Sequence, residues 1–182
     1  MIGIIANRLI DMMERQLNAD MSYLRALRAA SPRGFDGFLK ATAIARHCEA
    51  VPMAASHAAR LTATAFEDCG PCVQIAIDQA RAAGMEDATI KAVLEAKTSK
   101  LPGDIALAYR FAQSILTRSA ALDGVRETVR ERWGEKGVVD LTMATQGSRL
   151  YPMIKLGLGF AQSCQQVQVG AELVVPAAGL PG

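Results

Sequence analysis

The sequence predicts an all-α fold, and this prediction depends on two properties of the chain. Alanine accounts for 32 of the 182 residues, whereas aromatic residues make up only 5%. Alanine has the highest helix propensity of all residues, and its small side chain lets neighbouring helices approach closely. Apolar residues also recur with the spacing of one helix face along most of the chain, and strand-like patterns occur only at 167–169 and 173–175.

Three helices are predicted in the first 50 residues. Apolar residues follow the helical period from Ile2 to Leu17, with charged residues between them. Asp20 is a suitable N-cap for a second, short helix over 20–30, which the Ser31-Pro32 dipeptide ends. A third helix is predicted from about Gly34 to His47.

Proline and glycine delimit the helices that follow. Pro52 and Pro102 fit the start of a helix, because a proline there lacks only an N–H group that would have no partner. Gly84 fits the end of a helix, since glycine readily adopts the left-handed conformation that closes many helices. The predicted helices of this region are Met53–Phe66, Cys72–Ala83, Asp87 to about Thr98, Gly103–Ser119, Val125–Trp133, Gly137–Leu150 and Pro152–Val167.

The order of these segments predicts three parts of the chain. Residues 1–50 form an N-terminal helical extension, residues 51–168 the helical core and residues 169–182 a C-terminal tail. The final segment, 176–182, is expected to be an unstructured terminus or an arm on a neighbouring subunit. No internal repeat and no interdomain linker interrupts this arrangement.

Composition and charge exclude several classes of protein. With 51% hydrophobic residues and a net charge of +2, the chain is too apolar and too balanced in charge to be disordered. This charge gives no reason to expect nucleic acid as a partner, and no apolar run reaches the ~18–20 residues of a membrane span. The apolar start of the chain is interrupted too early for a signal peptide. We therefore expect a cytoplasmic protein, whose four cysteines are reduced, catalytic or metal-binding rather than a structural disulfide framework.

The strongest chemical signal is the motif Cys69-Gly70-Pro71-Cys72 at a predicted helix start. Cysteines at positions i and i+3 can close a small disulfide ring, and the positive end of the helix dipole stabilises a thiolate there. Gly70 permits the tight turn, and Pro71 suits the first helical position. Because only the thiolate attacks a disulfide or a peroxide, we predict redox chemistry. Two ordinary thiols at a helix start are the alternative.

Two other classes of site share this motif. Thioredoxins carry the same four residues but require a β-strand before them, and segment 56–66 is helix-forming, so this fold is excluded. A zinc site built from the His47-Cys48 pair and the two motif cysteines has suitable spacing in its second half. Adjacent histidine and cysteine on a helix are poor ligand geometry, however, and we predict no metal and no cofactor.

The cysteine motif lies between two helices of recognisable character. An alanine-rich helix precedes it, a second helix ending at Gly84 follows it, and segments 105–112, 137–141 and 149–155 continue the pattern. From about Pro52 to Cys164 the chain resembles the core of the carboxymuconolactone decarboxylase and alkyl hydroperoxidase D-like (AhpD-like) superfamily. The resemblance implies an AhpD-like helical bundle that commonly assembles into dimers, trimers or hexamers. It also implies either thiol-based peroxidase or disulfide reductase activity, or a cysteine-independent lactone decarboxylation.

Two residues of that superfamily's proton relay are replaced in this chain. AhpD-like proteins carry a glutamate twelve residues before the first cysteine and a histidine four residues after the second, where this chain has His57 and Ala76. Only Cys69 and Cys72 carry over. If the two helices are antiparallel, His57 lies opposite Ala76, so we hypothesise that its imidazole is the base, or the cationic partner, that helps to ionise Cys72. A histidine satisfied at a helix interface is the alternative.

Structural roles are expected for the other residues near the motif. The Glu67-Asp68 pair is expected to complement the dipole of the following helix. Arg149 and Tyr151 are expected at a surface or subunit interface, with substrate positioning as the alternative. Cys48 and Cys164 are expected to behave as small buried hydrophobes.

The sequence therefore predicts a thiol redox enzyme of the alkyl hydroperoxidase or disulfide reductase type. Its catalytic residues are Cys72, Cys69 and His57; the resemblance implies attack by Cys72 and closure of the disulfide by Cys69, although these roles could be reversed. Expected partners are a small peroxide or disulfide, an unidentified reductant and further copies of the chain, with no nucleic acid and no membrane. A non-catalytic helical oligomer or binding protein is the second hypothesis. Lactone decarboxylation, with Arg60 and Arg149 as carboxylate-binding groups, is the third.

Overall fold

The computed structural model describes residues 2–162 and 166–177. Within these residues the chain forms eight α-helices and one β-hairpin, which confirms the predicted all-α class. The helices are α1 Ile2–Leu17, α2 Ser22–Ala30, α3 Pro32–Ala41, α4 Met53–Phe66, α5 Gly70–Ala82, α6 Asp87–Leu94, α7 Gly103–Leu116 and α8 Leu122–Gly157, and the strands are β1 Val167–Val169 and β2 Glu172–Val174. Short 3-10 helices at Thr42–Arg46 and Thr98–Lys100 follow α3 and α6. None of the helices described here has both the length and the apolar character to cross a membrane.

Helix α4 lies at the centre of the fold and packs against α5, α6, α7 and α8. It begins directly after Pro52 and ends at Phe66, as the sequence predicts, because proline fixes a backbone angle that suits a helix start. Four of its alanines, Ala55, Ala58, Ala59 and Ala63, have no exposed surface. Their small side chains let the neighbouring helices approach α4 closely.

One buried carboxylate holds the segment that leads into α4. Asp140 on α8 has no exposed surface. Its Oδ2 accepts hydrogen bonds from the backbone N–H groups of Glu49, Ala50 and Val51 at 2.9, 2.7 and 3.0 Å, and its Oδ1 lies 3.3 Å from Nε2 of His47. Burial alone raises the pKa of a carboxyl group, but the three backbone donors outweigh it and hold the pKa of Asp140 below its usual value. Asp140 therefore fixes the entry to α4 as an ionised group.

The predicted starts of α2 and α3 lie close to the observed ones. Met21 occupies the N-cap position of α2, and the carboxylate of Asp20 accepts hydrogen bonds from the N–H (2.8 Å) and the hydroxyl (2.7 Å) of Ser22. Helix α3 begins at Pro32, slightly earlier than predicted. Ser31 is its N-cap, and the Ser31 hydroxyl accepts a hydrogen bond from the N–H of Gly34 at 3.0 Å.

Helices α1, α2 and α3 share an apolar cluster that packs onto the rest of the fold. Its buried members are Ile10, Met21, Tyr23, Leu24 and Phe35. Ile75 of α5 and Ile154 of α8 pack against this cluster. The first 50 residues are therefore joined to the helices that carry the cysteine motif.

The last helix is longer than the sequence predicts. Separate helices are expected over 125–133, 137–150 and 152–167. The backbone of α8 is non-helical at Gly134, between the first two of these, so that break is confirmed, but α8 continues through Pro152 and the second break is wrong. The kink lies at Gly134, whose φ of 70° is in the left-handed region that favours glycine. Pro152 lies inside the helix, where it removes one backbone donor without ending the helix.

Helix α8 ends at Gly157, so the predicted continuation beyond that residue is wrong. The N–H of Phe160 donates to the carbonyl of Lys155 at 2.8 Å, and the N–H of Gly159 donates to the carbonyl of Leu156 at 3.1 Å. This is the Schellman arrangement, in which a residue of positive φ, here Gly159 at 77°, closes the helix.

Helix α8 crosses the 3-10 helix Thr42–Arg46 at Gly147. A β-carbon at position 147 would lie 2.6 Å from Cα and 2.7 Å from the backbone nitrogen of Ala45. Real side chains do not approach a backbone so closely, so only glycine fits where these two backbones meet.

The chain that follows α8 packs against α5 and α6. Strands β1 and β2 pair as an antiparallel hairpin where the sequence shows its strand-like pattern. The N–H of Gln168 donates to Oε1 of Gln74 on α5 at 2.9 Å, and Nε2 of Gln74 donates back to the carbonyl of Gln168 at 3.1 Å. The N–H of Ala177 donates to the carbonyl of Leu94 at 2.9 Å. The predicted terminal segment is thus docked on its own chain as far as Ala177, and 178–182 lie outside the described residues.

Candidate functional site

The two motif cysteines lie at the turn between α4 and α5. Cys69 is the N-cap residue of α5, and the first turn of this helix contains Pro71 and no acidic side chain. The sulfur atoms of Cys69 and Cys72 are joined in a disulfide, with the two Cα atoms 5.2 Å apart. Both cysteines are buried. This pairing is available to redox chemistry, but by itself it does not separate that role from a structural cross-link.

One of the two cysteines faces a cavity of about 470 Å³, and so do His57 and Ala76. His57 lies on α4, which packs against α5. Cys72 and Ala76 lie on α5 and, being four residues apart, share one face of that helix. Cys69 does not line the cavity. Cys72 is therefore the cysteine of the pair that a small molecule in the cavity meets.

His57 is a buried histidine, with 6% of its surface exposed. Burial lowers the pKa of its imidazole to about 4, and the positive charge of Arg60, one turn further along α4, acts in the same direction. The ring is therefore neutral near pH 7. The neutral imidazole has a lone pair that can take up a proton, but its low pKa makes it a weak base, and it does not supply the charge that the cationic-partner hypothesis requires.

Three cationic side chains line the same cavity: Arg46, Arg60 and Lys155. Lys155 is buried, and its ammonium lies 4.9 Å from the centre of the Tyr23 ring. The Nε of Arg60 is buried and has no hydrogen-bond partner in the part of the chain that the structure describes. No aspartate or glutamate of that part lines the cavity. The cavity is thus positively charged.

The rest of the cavity lining is largely apolar and comes mainly from the N-terminal helices. The larger apolar side chains are Leu9, Met12, Met13, Leu17, Met21, Leu39 and Ile75. Tyr151 of α8 also lines the cavity, and its ring packs edge-on against Phe38 with the centroids 5.5 Å apart. The first 50 residues therefore complete the wall of the cavity.

Arg149 of α8 supports the cysteine turn from outside the cavity. Its guanidinium pairs with the carboxylate of Glu67 and lies over the ring of Phe66, 5.9 Å from the centroid. Glu67 is the C-cap residue of α4, and it precedes the first turn of α5. The carboxylate of Glu67 is thus paired with Arg149, and the expectation that it complements the dipole of α5 stays a prediction.

The residues considered as zinc ligands have other contacts. The motif cysteines bond to each other, the thiol of Cys48 donates to the carbonyl of Val51 at 3.3 Å, and His47 contacts Asp140. Across residues 2–162 and 166–177 no three His, Cys, Asp or Glu side chains are arranged to hold a metal ion. Cys48 is partly exposed rather than fully buried, and Cys164 lies outside the described residues.

Sequence reasoning missed Lys155 and the wall that the N-terminal helices provide. Lys155 lies four residues after Tyr151, so the two share a face of α8. From this spacing Lys155 could have been predicted to lie beside Tyr151 as a second candidate for substrate positioning. No local pattern places Met12 or Tyr23 in the same cavity as Cys72, because these contacts join distant parts of the chain.

Comparisons with known proteins identify no relative of this chain. No model of a protein family, no curated protein and no solved structure matches the chain. Membership of the AhpD-like superfamily therefore stays a prediction from the sequence motifs.

Replacing His57 is expected to slow the reaction of the reduced Cys72 thiol with an alkylating reagent. In His57→Gln the proton acceptor is removed, so the rate near pH 7 falls about tenfold or more and the pH profile shifts upwards. Alkylation of Cys72 in the reduced protein, followed by peptide mass spectrometry over a range of pH, measures both effects. The chain contains two histidines, and His47 lies outside the cavity, so His47→Gln is the matched control. An unmoved profile in His57→Gln would reject the base assignment.

Proposed function

We propose that this protein is a thiol-based peroxidase that uses the Cys69–Cys72 pair to reduce a small peroxide. The observation that carries the proposal is that Cys72, already paired with Cys69, faces the same cavity as His57. The positive end of the α5 dipole favours a thiolate at this position, and no acidic side chain in the first turn opposes it. The resemblance to AhpD-like proteins supports the same activity.

The first half-reaction transfers one oxygen atom to sulfur. With the pair reduced, the sulfur of Cys72 attacks the terminal oxygen of the hydroperoxide, so that an S–O bond forms while the O–O bond breaks. Because the pKa of His57 is low, its imidazole does not hold the thiol proton but passes it on during the attack. The proton goes to the departing oxygen, which leaves as an alcohol. Cys72 is now a sulfenic acid.

The second half-reaction restores the pair. The sulfur of Cys69 attacks the sulfenic sulfur of Cys72, a disulfide forms and the hydroxyl leaves as water with the Cys69 proton. An external dithiol then exchanges with this disulfide, is itself oxidised to a disulfide and returns two electrons and two protons to the cysteines. A partner disulfide in place of the peroxide would be attacked by the same Cys72 thiolate, which gives the disulfide reductase form of the activity.

Peroxide consumption with dithiothreitol as the dithiol tests this proposal. The wild-type protein is expected to consume tert-butyl hydroperoxide at a rate proportional to protein concentration. The double variant Cys69→Ser/Cys72→Ser is expected to be no faster than dithiothreitol alone, because the cysteine that accepts the oxygen in the cavity and its partner are both removed. Cys48→Ser is the control and keeps the wild-type rate, since Cys48 does not line the cavity. Equal rates for the wild type and the double variant would contradict the proposal.

A binding protein without turnover is the second candidate, and Ala76 is the observation that favours it. This residue faces the cavity where the superfamily's histidine is expected, so one member of the relay is missing without replacement at that position. The disulfide would then act as a cross-link of the α4–α5 turn. In that case the double cysteine variant loses stability but keeps its ligand.

Lactone decarboxylation has less support than either of these functions. Of the two arginines that it would use, Arg60 lines the cavity, whereas Arg149 is paired with Glu67 outside it. Self-association is part of the proposal, and it is supported by the exposed apolar side chains of Met153 and Leu156 near the end of α8. A cytoplasmic location, also proposed, would provide the dithiol reductant.

A further inference from the structure

The cavity contains a buried ammonium group that no carboxylate of the described residues pairs. Lys155 is 6% exposed and forms no ion pair with a carboxylate of the described residues. Its ammonium packs on the ring of Tyr23, 4.9 Å from the centroid. Burial lowers the pKa of Lys155. The negative charge of Asp20, which forms no ion pair with Lys155, raises this pKa again but offsets only part of the effect. An anion beside Lys155 would therefore stabilise its charged form.

A second cation with the same character lies on another helix. Arg60 of α4 is half-buried, and its Nε is enclosed without a hydrogen-bond partner in the described part of the chain. It forms no ion pair there either, and burial lowers its pKa. A buried donor on a cation loses its hydration without compensation, so a ligand oxygen is the partner that it lacks.

The shape and the lining of the cavity restrict the anion that can enter. The volume of about 470 Å³ lies within the ~300–1,000 Å³ of small-molecule sites. The apolar side chains of Met12, Met13 and Leu39 face this volume together with the cations. An inorganic anion would leave that apolar surface uncovered, whereas a purely apolar ligand would leave Arg60 and Lys155 unpaired.

We infer that the cavity binds an amphipathic carboxylate, with its carboxylate on one of the two cations, Arg60 or Lys155, and its apolar chain against the methionine-rich wall of the N-terminal helices. In combination with the proposed function, on which this step rests, the substrate is a hydroperoxide of a medium-chain carboxylic acid. Its terminal peroxide oxygen passes to the Cys72 thiolate, and the product is the corresponding hydroxy acid. The carboxylate takes no part in the bond changes and determines which hydroperoxide is held.

Calorimetric titration with octanoate tests the carboxylate site without any peroxide or reductant. Wild-type protein is expected to bind octanoate at least about tenfold more tightly than 1-octanol, since a hydrogen bond to a charged group contributes this much. Arg60→Met or Lys155→Met, or both, should weaken octanoate binding by about tenfold while leaving 1-octanol unaffected. Arg110→Met is the matched control, because Arg110 is an exposed arginine of α7 outside the cavity. Equal affinity for octanoate and 1-octanol, no binding of octanoate, or unchanged binding in both variants would overturn the inference.

Thermal unfolding provides a check that the variants are folded. Methionine replaces the lysine ammonium with an apolar group of similar length, so Lys155→Met should unfold at the wild-type temperature or above it when no ligand is present. Octanoate should raise the unfolding temperature of the wild type more than that of a variant whose octanoate binding is weakened. Octanoate binding without peroxide consumption would reject the proposed peroxidase and keep the carboxylate site. Peroxide consumption without octanoate binding would reject the carboxylate site and keep the proposed peroxidase.

Discussion

Cys72→Ser is expected to abolish the first turnover with peroxide, whereas Cys69→Ser is expected to leave that turnover intact and to block the second. Cys72 faces the cavity and Cys69 does not, so the Cys72 sulfur is the one that meets the peroxide oxygen. Removing an attacking nucleophile lowers the rate of the chemical step by a factor of about 10³ or more. Without Cys69, the Cys72 sulfenic acid forms but has no neighbouring thiol with which to condense.

Single-turnover mixing of the reduced protein with one equivalent of hydroperoxide separates the two variants. Intact mass spectrometry should show the wild type as a disulfide, Cys69→Ser as a sulfenic acid that dimedone traps, and Cys72→Ser as unreacted thiol. Cys48→Ser is the control and should behave as the wild type, because its thiol hydrogen-bonds to a backbone carbonyl away from the pair. If Cys69→Ser were instead the unreactive variant, the two cysteines would have the opposite roles.

Asp140→Ala is expected to lower the free energy of unfolding by about 3–5 kcal/mol. The substitution leaves three backbone N–H groups of residues 49–51 without the carboxylate oxygen that now accepts from all of them. For a chain of this length, such a loss corresponds to a decrease of roughly 10 °C in the unfolding temperature. Chemical or thermal denaturation measures this change. Asp123→Ala is the control on the same helix, because the Asp123 carboxylate is exposed and its surface pair with Arg126 contributes little.

The same carboxylate predicts the direction of a pH effect. The folded-state pKa of Asp140 is lowered, so its stabilisation is complete above the unfolded-state value and is lost as the pH falls through the folded-state value. The difference in stability between wild type and Asp140→Asn should therefore be constant near neutral pH and should narrow below about pH 4. A difference that widened in acid would contradict the assignment of Asp140 as an ionised acceptor.

Local chemistry explains which parts of the fold the sequence predicts well. Pro52 and Pro102 set the starts of α4 and α7 because their effect depends on the backbone of a single residue. Pro152 carries the same local signal, yet α8 continues through it, because packing along the helix outweighs one missing hydrogen bond. The true end of α8 had a local signal in Gly157 and Gly159 that the strong helical pattern obscured.

In the candidate site, too, the features that depend on local sequence are predicted, and those that depend on contacts between distant segments are not. The spacing of Cys69 and Cys72 and the hairpin of α4 and α5 are local, so the disulfide and the common cavity of Cys72 and His57 agree with what the sequence predicts. Lys155 reaches that cavity from the far end of the chain, and Met12 reaches it from the first helix. Such contacts depend on how whole helices pack, and periodicity along one helix does not specify its neighbours.

The point where α8 crosses the 3-10 helix Thr42–Arg46, at Gly147, sets the width of the cavity as well as the distance between the two backbones. Ala45 and Arg46, on one side of this crossing, and Ser148 and Tyr151, on the other, all line the cavity. Because the two segments already touch at Gly147, they cannot move closer together, and a side chain there would push them apart. A substitution at Gly147 would therefore widen the cavity. The protein would then discriminate less between narrow and broad ligands. Gly147, which has no side chain, thus limits the width of the ligands that the cavity can bind.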